Sequence, residues 1–211
     1  MRVGGAELFG GSPVLLAAGK GHRAALTEDG VIWTSGAGNY GQLGQGDAQA
    51  SFSVLLPTRL GPEAFGGSPV VLVACGGWHT MALTGGGCVL TCGLNDNGQL
   101  GHGDRTEKVF TLVDPRQFGG DSIVMAAAGE EHIVVASTAG DVFTWGYGTW
   151  DRLGHNNMQD RLTPARLGRE QFGGDQIVFV CGYNPTVAIA EGGVLWVWRG
   201  GREGQLGLSD S

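Results

Sequence analysis

The chain has no cluster of lysine or arginine: 13 basic residues are scattered among 20 acidic ones, giving a formal net charge of −7 over 211 residues. A basic patch is what neutralises backbone phosphates, so its absence argues against direct nucleic-acid binding. The acidic balance suits a soluble protein that can accept basic partners. No stretch approaches the ~18 consecutive apolar residues needed to span a bilayer, and the opening MRVGGAELFGG lacks the apolar core of a secretion signal. The chain therefore reads as cytoplasmic or nuclear, with no membrane association. Cysteine is scarce too, with four in all. Cys75 and Cys181 are assigned to one repeat position, filled by Ala18 and Ala128 in the other copies, and read as small buried side chains. Cys88 and Cys92 lie on one expected strand about 13 Å apart, too far to share a metal ion. They read as reduced structural thiols, and no cofactor or metal is expected.

What the chain has in excess is glycine, 41 residues, against a usual share of ~7%. Glycine in this quantity without a collagen period indicates many tight turns, and with 42% hydrophobic residues it favours an all-β fold of short strands. The glycines are also periodic. Gly-Gln-Leu-Gly begins at Gly41, Gly98 and Gly204, and the related Asp-Arg-Leu-Gly fills the vacant slot at Asp151. Phe-Gly-Gly begins at Phe9, Phe65, Phe118 and Phe172, and a glycine-rich turn leads into His22, His79, His132 and, in the fourth place, Pro185. A period of about 50 residues marks solenoids and propellers, in which one unit cannot bury its own apolar surface and stacks on its neighbours.

Each repeat divides at its turns into three short strands, read as 14–18, 22–27 and 31–35 in the first copy, 70–74, 79–84 and 88–92 in the second, 123–127, 132–137 and 141–145 in the third, and 177–180, 186–190 and 194–198 in the fourth. A fourth, outer strand is expected near 53–56, 109–112 and 162–165. Four strands per ~50 residues describe a propeller blade. Strand three carries Trp33, Leu90, Phe143 and Trp196 on one face and Ile32, Val89, Val142 and Leu195 on the other, as in a sheet packed between two others. The tryptophans of this strand are thus core. The expected organisation is one β-propeller domain over 1–211, with repeats at 12–67, 68–120, 121–174 and 175–211 and with 1–11 as the tail of a preceding repeat.

The run VACGGWHTMALTGGGCVLTCGLNDNGQLGHGD, Val73 to Asp104, resembles the repeat of the regulator of chromosome condensation family, and the likeness extends over nearly the whole chain. The chain opens on the tail of a repeat and stops just past strand three of the fourth, so residues near Arg2 and Val3 could complete the last blade, and a closed four-bladed ring is arithmetically open; the resemblance implies a propeller, typically of seven blades, so about four repeats are expected to form an incomplete one. An open arc would expose apolar blade faces and strand edges, which invites self-association. The family also implies function: its founding members exchange guanine nucleotide on a small nuclear GTPase and dock on nucleosomes, and others are attached to ubiquitin ligases, membrane-traffic factors or a plant ultraviolet-B receptor. The primary expectation is a protein-interaction scaffold. The alternatives are a guanine nucleotide exchange factor for a small GTPase, whole or in part, and the substrate-recruiting repeat region of a ubiquitin ligase.

Motifs that suggest chemistry fail on context. Gly36 to Gly41 matches G-x-G-x-x-G, but a turn sequence and not a helix follows. The three histidines come once per blade and read as structural donors, not as a catalytic cluster. Gln42, Gln99 and Gln205 are expected to lock their turns through side-chain to backbone bonds, as are Asp47 and Asp104, with Asn156 in the equivalent place of the third copy. No catalytic constellation is apparent, so the chain does not read as an enzyme. Function is sought where repeats depart from the pattern. In the third copy Tyr147, Trp150, Asp151 and Arg152 place an aromatic, an acid and a base in the glycine loop, and an exposed Trp beside an Arg is typical of protein interfaces. Trp78, in a turn where other copies carry Gly21, Glu131 and Asn184, is the second candidate for contact with a protein partner.

Overall fold

Every expected hairpin between the second and third strands closes on a left-handed glycine: φ is 78° at Gly30, 78° at Gly87 and 81° at Gly140. Only glycine takes that conformation without a steric penalty, and here each also lies against the start of the next blade, where a Cβ would approach Pro69, Ser122 or Gln176 to within 2.7 Å. The computed structural model describes Phe9 and residues 11–46, 53–182 and 185–198. In them the first blade comprises β1 (Pro13–Ala18), β2 (His22–Thr27), β3 (Ile32–Ala37) and β4 (Ser53–Leu60). The second comprises β5 (Val70–Cys75), β6 (His79–Thr84), β7 (Val89–Gly93) and β8 (Lys108–Leu112). The third comprises β9 (Ile123–Ala128), β10 (His132–Ser137), β11 (Val142–Gly146) and β12 (Arg161–Leu167), and the fourth β13 (Ile177–Gly182), β14 (Thr186–Ala190) and β15 (Leu195–Trp198).

All strands run antiparallel in chain order from the inner to the outer edge. The inner strands β1, β5, β9 and β13 stand side by side, and the four sheets form an arc that does not close on itself among the described residues. This is the incomplete propeller that the repeat count implies. The proposed closing residues Arg2 and Val3, and the loop at Gly204 with Gln205, lie outside the described residues.

Each of the three junctions between blades is a separate apolar core. Leu26, Ile32, Val73 and Ala82 fill the first, Met81, Val89, Val135 and Phe143 the second, and Val134, Val142, Val180 and Ala188 the third. Phe65, Phe118 and Phe172 of the Phe-Gly-Gly marker are all buried here. Each ends a short 3₁₀ turn, Pro62–Phe65, Pro115–Phe118 and Arg169–Phe172, that connects one blade to the next and stops at a left-handed glycine. Sequence reading marked these phenylalanines but not the 3₁₀ turns, because four residues are too few to show a helical period.

Two expected equivalences change. Gly182 pairs with Thr186 as Cys75 pairs with Thr80, so Gly182 and not Cys181 holds the place of Cys75; the fourth turn is one residue shorter than the second. In the third loop Asn157, not Asn156, occupies the place of Asp104. Asn157 Oδ1 accepts from Gln159 N at 3.0 Å, just as Asp104 Oδ1 accepts from Thr106 N at 3.0 Å. Asn156, at φ 56°, takes the left-handed place of Gly103. The outer strands are also longer than expected, because polar residues such as Thr58, Arg59 and Arg166 continue the ladder on a solvated edge.

Candidate protein-interaction face

Antiparallel order sends the turns after the first strands and the loops after the third strands to one end of the blades. The 3₁₀ turns and the glycine hairpins lie at the other end. All five sequence-derived candidates fall on the first, loop-bearing end.

The Gly-Gln-Leu-Gly string fixes each loop by four contacts. The first glycine is left-handed (Gly41 77°, Gly98 75°). The glutamine is buried, and its Oε1 accepts the backbone N–H two residues earlier, Tyr40 to Gln42 and Asn97 to Gln99, both at 2.9 Å. The leucine enters the core while its carbonyl accepts a buried threonine of strand three: Thr34 to Leu43, Thr91 to Leu100 and Thr144 to Leu153, at 2.7–2.8 Å. The second glycine leaves room for an aromatic, since a Cβ at Gly101 would lie 2.8 Å from the Trp145 indole. These contacts mount the described start of each loop on strand three.

The histidines join neighbouring blades to that mount. Nε2 of His22 lies 2.9 Å from Thr80 Oγ1, and Nε2 of His132 lies 2.8 Å from Thr186 Oγ1. Each threonine hydroxyl donates to a loop carbonyl, Gln42 or Arg152, at 2.7 Å, so the histidine must be the donor and carries its proton on Nε2. At the middle junction the threonine is replaced by Ile133. There Trp145 Nε1 donates to Gln99 O at 3.0 Å instead, and His79 is left fully buried with neither ring nitrogen in a well-formed hydrogen bond. Desolvation lowers all three histidines, to about 4 for His22 and about 3 for His79 and His132. They are neutral structural groups, and the reading of them as structural donors holds for His22 and His132. The same burial raises the thiol of Cys75 to about 12 and that of Cys92 well above its usual value, which leaves neither as a nucleophile.

On this frame the third loop departs as its sequence does. Asp151 takes the left-handed place of Gly41 and Gly98 at φ 51°, and Trp150 before it is also left-handed at φ 64°. Two consecutive non-glycine residues in this region cost about 1–3 kcal/mol each. The Trp150 side chain is 38% exposed. Arg152 corrects the expected picture of an exposed Trp–Arg pair: it is only 4% exposed, because it replaces the buried glutamine. Its Nε donates to Thr149 O at 3.1 Å and its guanidinium sits 4.8 Å over the half-buried Tyr147 ring. Arg152 thus supports the loop from beneath, while Asp151 accepts from Asn157 N at 3.2 Å. Trp78 belongs to a different part of the face. It packs edge-on against Tyr40 of the first loop, ring centroids 5.7 Å apart, and closes over Gly21.

Contacts between repeats that the sequence reading missed tie the face together. Lys20 of the first turn pairs with Glu130 of the third, Arg105 of the second loop pairs with Asp160 of the third at 2.9 Å, and Gly103 N donates to Leu162 O at 2.8 Å. Opposite charges separated by about one or two repeat lengths were the available signal. Near this seam burial and Asp96 raise the Glu107 carboxyl above its usual range. Among the described residues no group of three metal-ligating side chains is gathered. What the face offers is a fixed polar frame with an aromatic projecting from its third loop.

Residues 29–83, 86–136 and 139–189 match the regulator of chromosome condensation (RCC1) repeat. The chain is 33% identical over 199 residues to the ultraviolet-B receptor UVR8 of Arabidopsis thaliana, covering 93% of this chain and 43% of that protein. It is 33% identical over 193 residues to the probable E3 ubiquitin-protein ligase HERC3 of Homo sapiens, covering 90% and 18% respectively. The crystal structure of human WBSCR16 superposes with a TM-score of 0.77 at 26% identity, over 90% of this chain and 47% of that one. The chain thus spans less than half the length of these relatives.

Proposed function

The chain belongs to the regulator of chromosome condensation repeat family, and from that premise we propose that it is a protein-interaction scaffold whose loop-bearing face recruits a protein partner. The observation that carries this reading is the third loop. Every other described loop of the face follows the repeat and packs by its rules, whereas here the chain holds Trp150 and Asp151 in costly left-handed conformations and leaves the indole partly in water. Strain kept at an exposed aromatic is a feature of binding sites, and tryptophan is among the side chains most enriched at binding hot spots. Tyr147, Asp151 and Arg152 hold that loop, and Trp78 marks a second contact area on the same face.

A finer reading is recruitment of substrates to a ubiquitin ligase, supported by the likeness to HERC3, of which the matched repeats are a small part. Exchange of guanine nucleotide on a small GTPase is the competing reading, in which the same face would engage the GTPase. Quantitative affinity capture with the wild type and with Trp150→Ala tests the scaffold. Partners that depend on Trp150 are expected, and an unchanged set of captured proteins would count against it. Nucleotide release from a panel of small GTPases separates exchange from scaffolding.

A further inference from the structure

The outer strand of a blade is an edge, and its unpaired N–H and C=O groups can accept a further strand. The first and third blades guard that edge. Arg59 stands opposite Trp33 and Arg166 opposite Phe143, and each pairs with the glutamate four residues on, Arg59 with Glu63 at 3.2 Å and Arg166 with Glu170 at 3.6 Å. Two residues before each arginine, Pro57 and Pro164 lie in bulges that interrupt the ladder and bring no N–H to the edge. The exposed Leu55 and Leu56 of the first blade fall inside that bulge, outside the ladder. Charge and proline are the usual means of keeping an edge unpaired.

The second blade has neither guard. Opposite Leu90, in the place of Arg59 and Arg166, stands Leu112; four residues on, in the place of Glu63 and Glu170, stands Arg116; two residues before, Phe110 replaces the proline. Phe110 turns inward, edge-on to Phe65 at 5.0 Å, whereas Val109 and Leu112 are 40% and 45% exposed. Val113 N donates to Val89 O at 2.9 Å, so the alternation of an antiparallel ladder turns the N–H and C=O of Leu112 away from β7. The Arg116 side chain is 91% exposed. It donates to Asp114 through Nε and Nη2, which leaves other N–H groups of its five-donor fork to solvent.

We propose that this rim of the second blade takes an extended, acidic segment of a protein partner as an added strand beside β8. The Leu112 backbone supplies main-chain bonds, Val109 and Leu112 supply apolar contact, and Arg116 receives an acidic side chain of the segment. Charge selects this occupant and this blade. Glu63 and Glu170, 72% and 69% exposed, would repel an acidic segment on the neighbouring blades, and Arg116 at the same place attracts one. A blade lies on either side of this one, so the rim stands clear of both ends of the chain.

A random decapeptide library displayed on phage, panned on the 211-residue chain and on its Leu112→Arg/Arg116→Glu variant, tests this. The variant installs the ion pair that the first and third blades already carry, and is expected to keep the wild-type circular dichroism spectrum. Panning is expected to enrich peptides with alternate apolar residues and an acid. These should bind the variant at least tenfold more weakly and slow hydrogen exchange of the Leu112 amide. No peptide that prefers the wild type, selected peptides that lack an acid, or binding that leaves the Leu112 amide exchanging at its free rate overturns the proposal. If the double variant is unstable, Arg116→Glu alone, at an exposed side chain, replaces it. Trp150→Ala is expected to bind the selected peptides as the wild type does, so this proposal and the loop-face reading fail separately; loss of binding in that variant would place the peptides on the loop face and overturn the rim.

Discussion

Nε2 of His22 in the first blade lies 2.9 Å from Oγ1 of Thr80 in the second, and that hydroxyl donates a hydrogen bond to Gln42 O back in the first. The His132–Thr186–Arg152 relay repeats this between the third and fourth blades. His79, whose counterpart is Ile133, has the burial without the bond. His22→Leu and His132→Leu are therefore expected to cost about 1–2 kcal/mol, and His79→Leu clearly less than either. Urea midpoints of the three variants rank them; a His79→Leu loss equal to the others would contradict the assignment.

The same histidines set an acid limit. Their folded pKa values, about 4, 3 and 3, lie below the unfolded value of 6.5. Between these values the unfolded chain binds more protons than the folded one, so the stability these groups permit is complete above pH 6.5 and is lost as pH falls towards 4. The slope is about 1.4 kcal/mol per pH unit for each histidine. Denaturation midpoints at pH 7.5, 6 and 5 should fall progressively, and removing any one of the three should flatten the decline, to which His155, also lowered by burial, adds. A flat profile would contradict neutral burial.

Asp151→Gly restores the glycine that Gly41 and Gly98 provide at this left-handed position. The variant loses the 3.2 Å bond from Asn157 and the carboxylate's charge near His155, and is expected to gain about 1 kcal/mol, seen as a rise of a few degrees in Tm. If the strained loop serves recognition, partner affinity falls while stability rises. Loss of stability would show that the left-handed conformation is not strained.

Two tryptophans separated by five positions should behave oppositely. Trp145 is fully buried and donates to Gln99 O, so Trp145→Phe is expected to cost about 2–3 kcal/mol. Trp150→Ala removes a partly solvated ring, and is expected to leave Tm within a few degrees of wild type while weakening partner binding at least tenfold. Thermal scans and binding titrations on both variants separate core from surface.

The blades were legible because three markers keep one period, and a β-strand's period of two places alternate side chains without any tertiary knowledge. The structural roles of Gln42 and Gln99 were legible for the same reason: a residue that recurs at the same place in successive loops serves the loop. Arg152 was not, since a guanidinium is ordinarily solvated, and only the geometry shows it filling the glutamine's buried slot over Tyr147. Nor was the Lys20–Glu130 pair, which joins residues two repeats apart. Cys181 was aligned with Cys75 because the fourth turn is one residue shorter than the second, which only the hydrogen-bond register shows; Asn157 keeps the six-residue spacing from Asp151 that Asp104 keeps from Gly98, so its place could be counted from the sequence.

The most direct test of the loop face as the recruiting surface is site-specific photo-crosslinking in cell extract. A benzophenone amino acid would replace Trp150 in one protein and Gln171, on an exposed 3₁₀ turn at the opposite end of the blades, in another. The account predicts discrete protein adducts from position 150 that are absent from position 171. Adducts that are the same from both positions, or that arise only from 171, would contradict it.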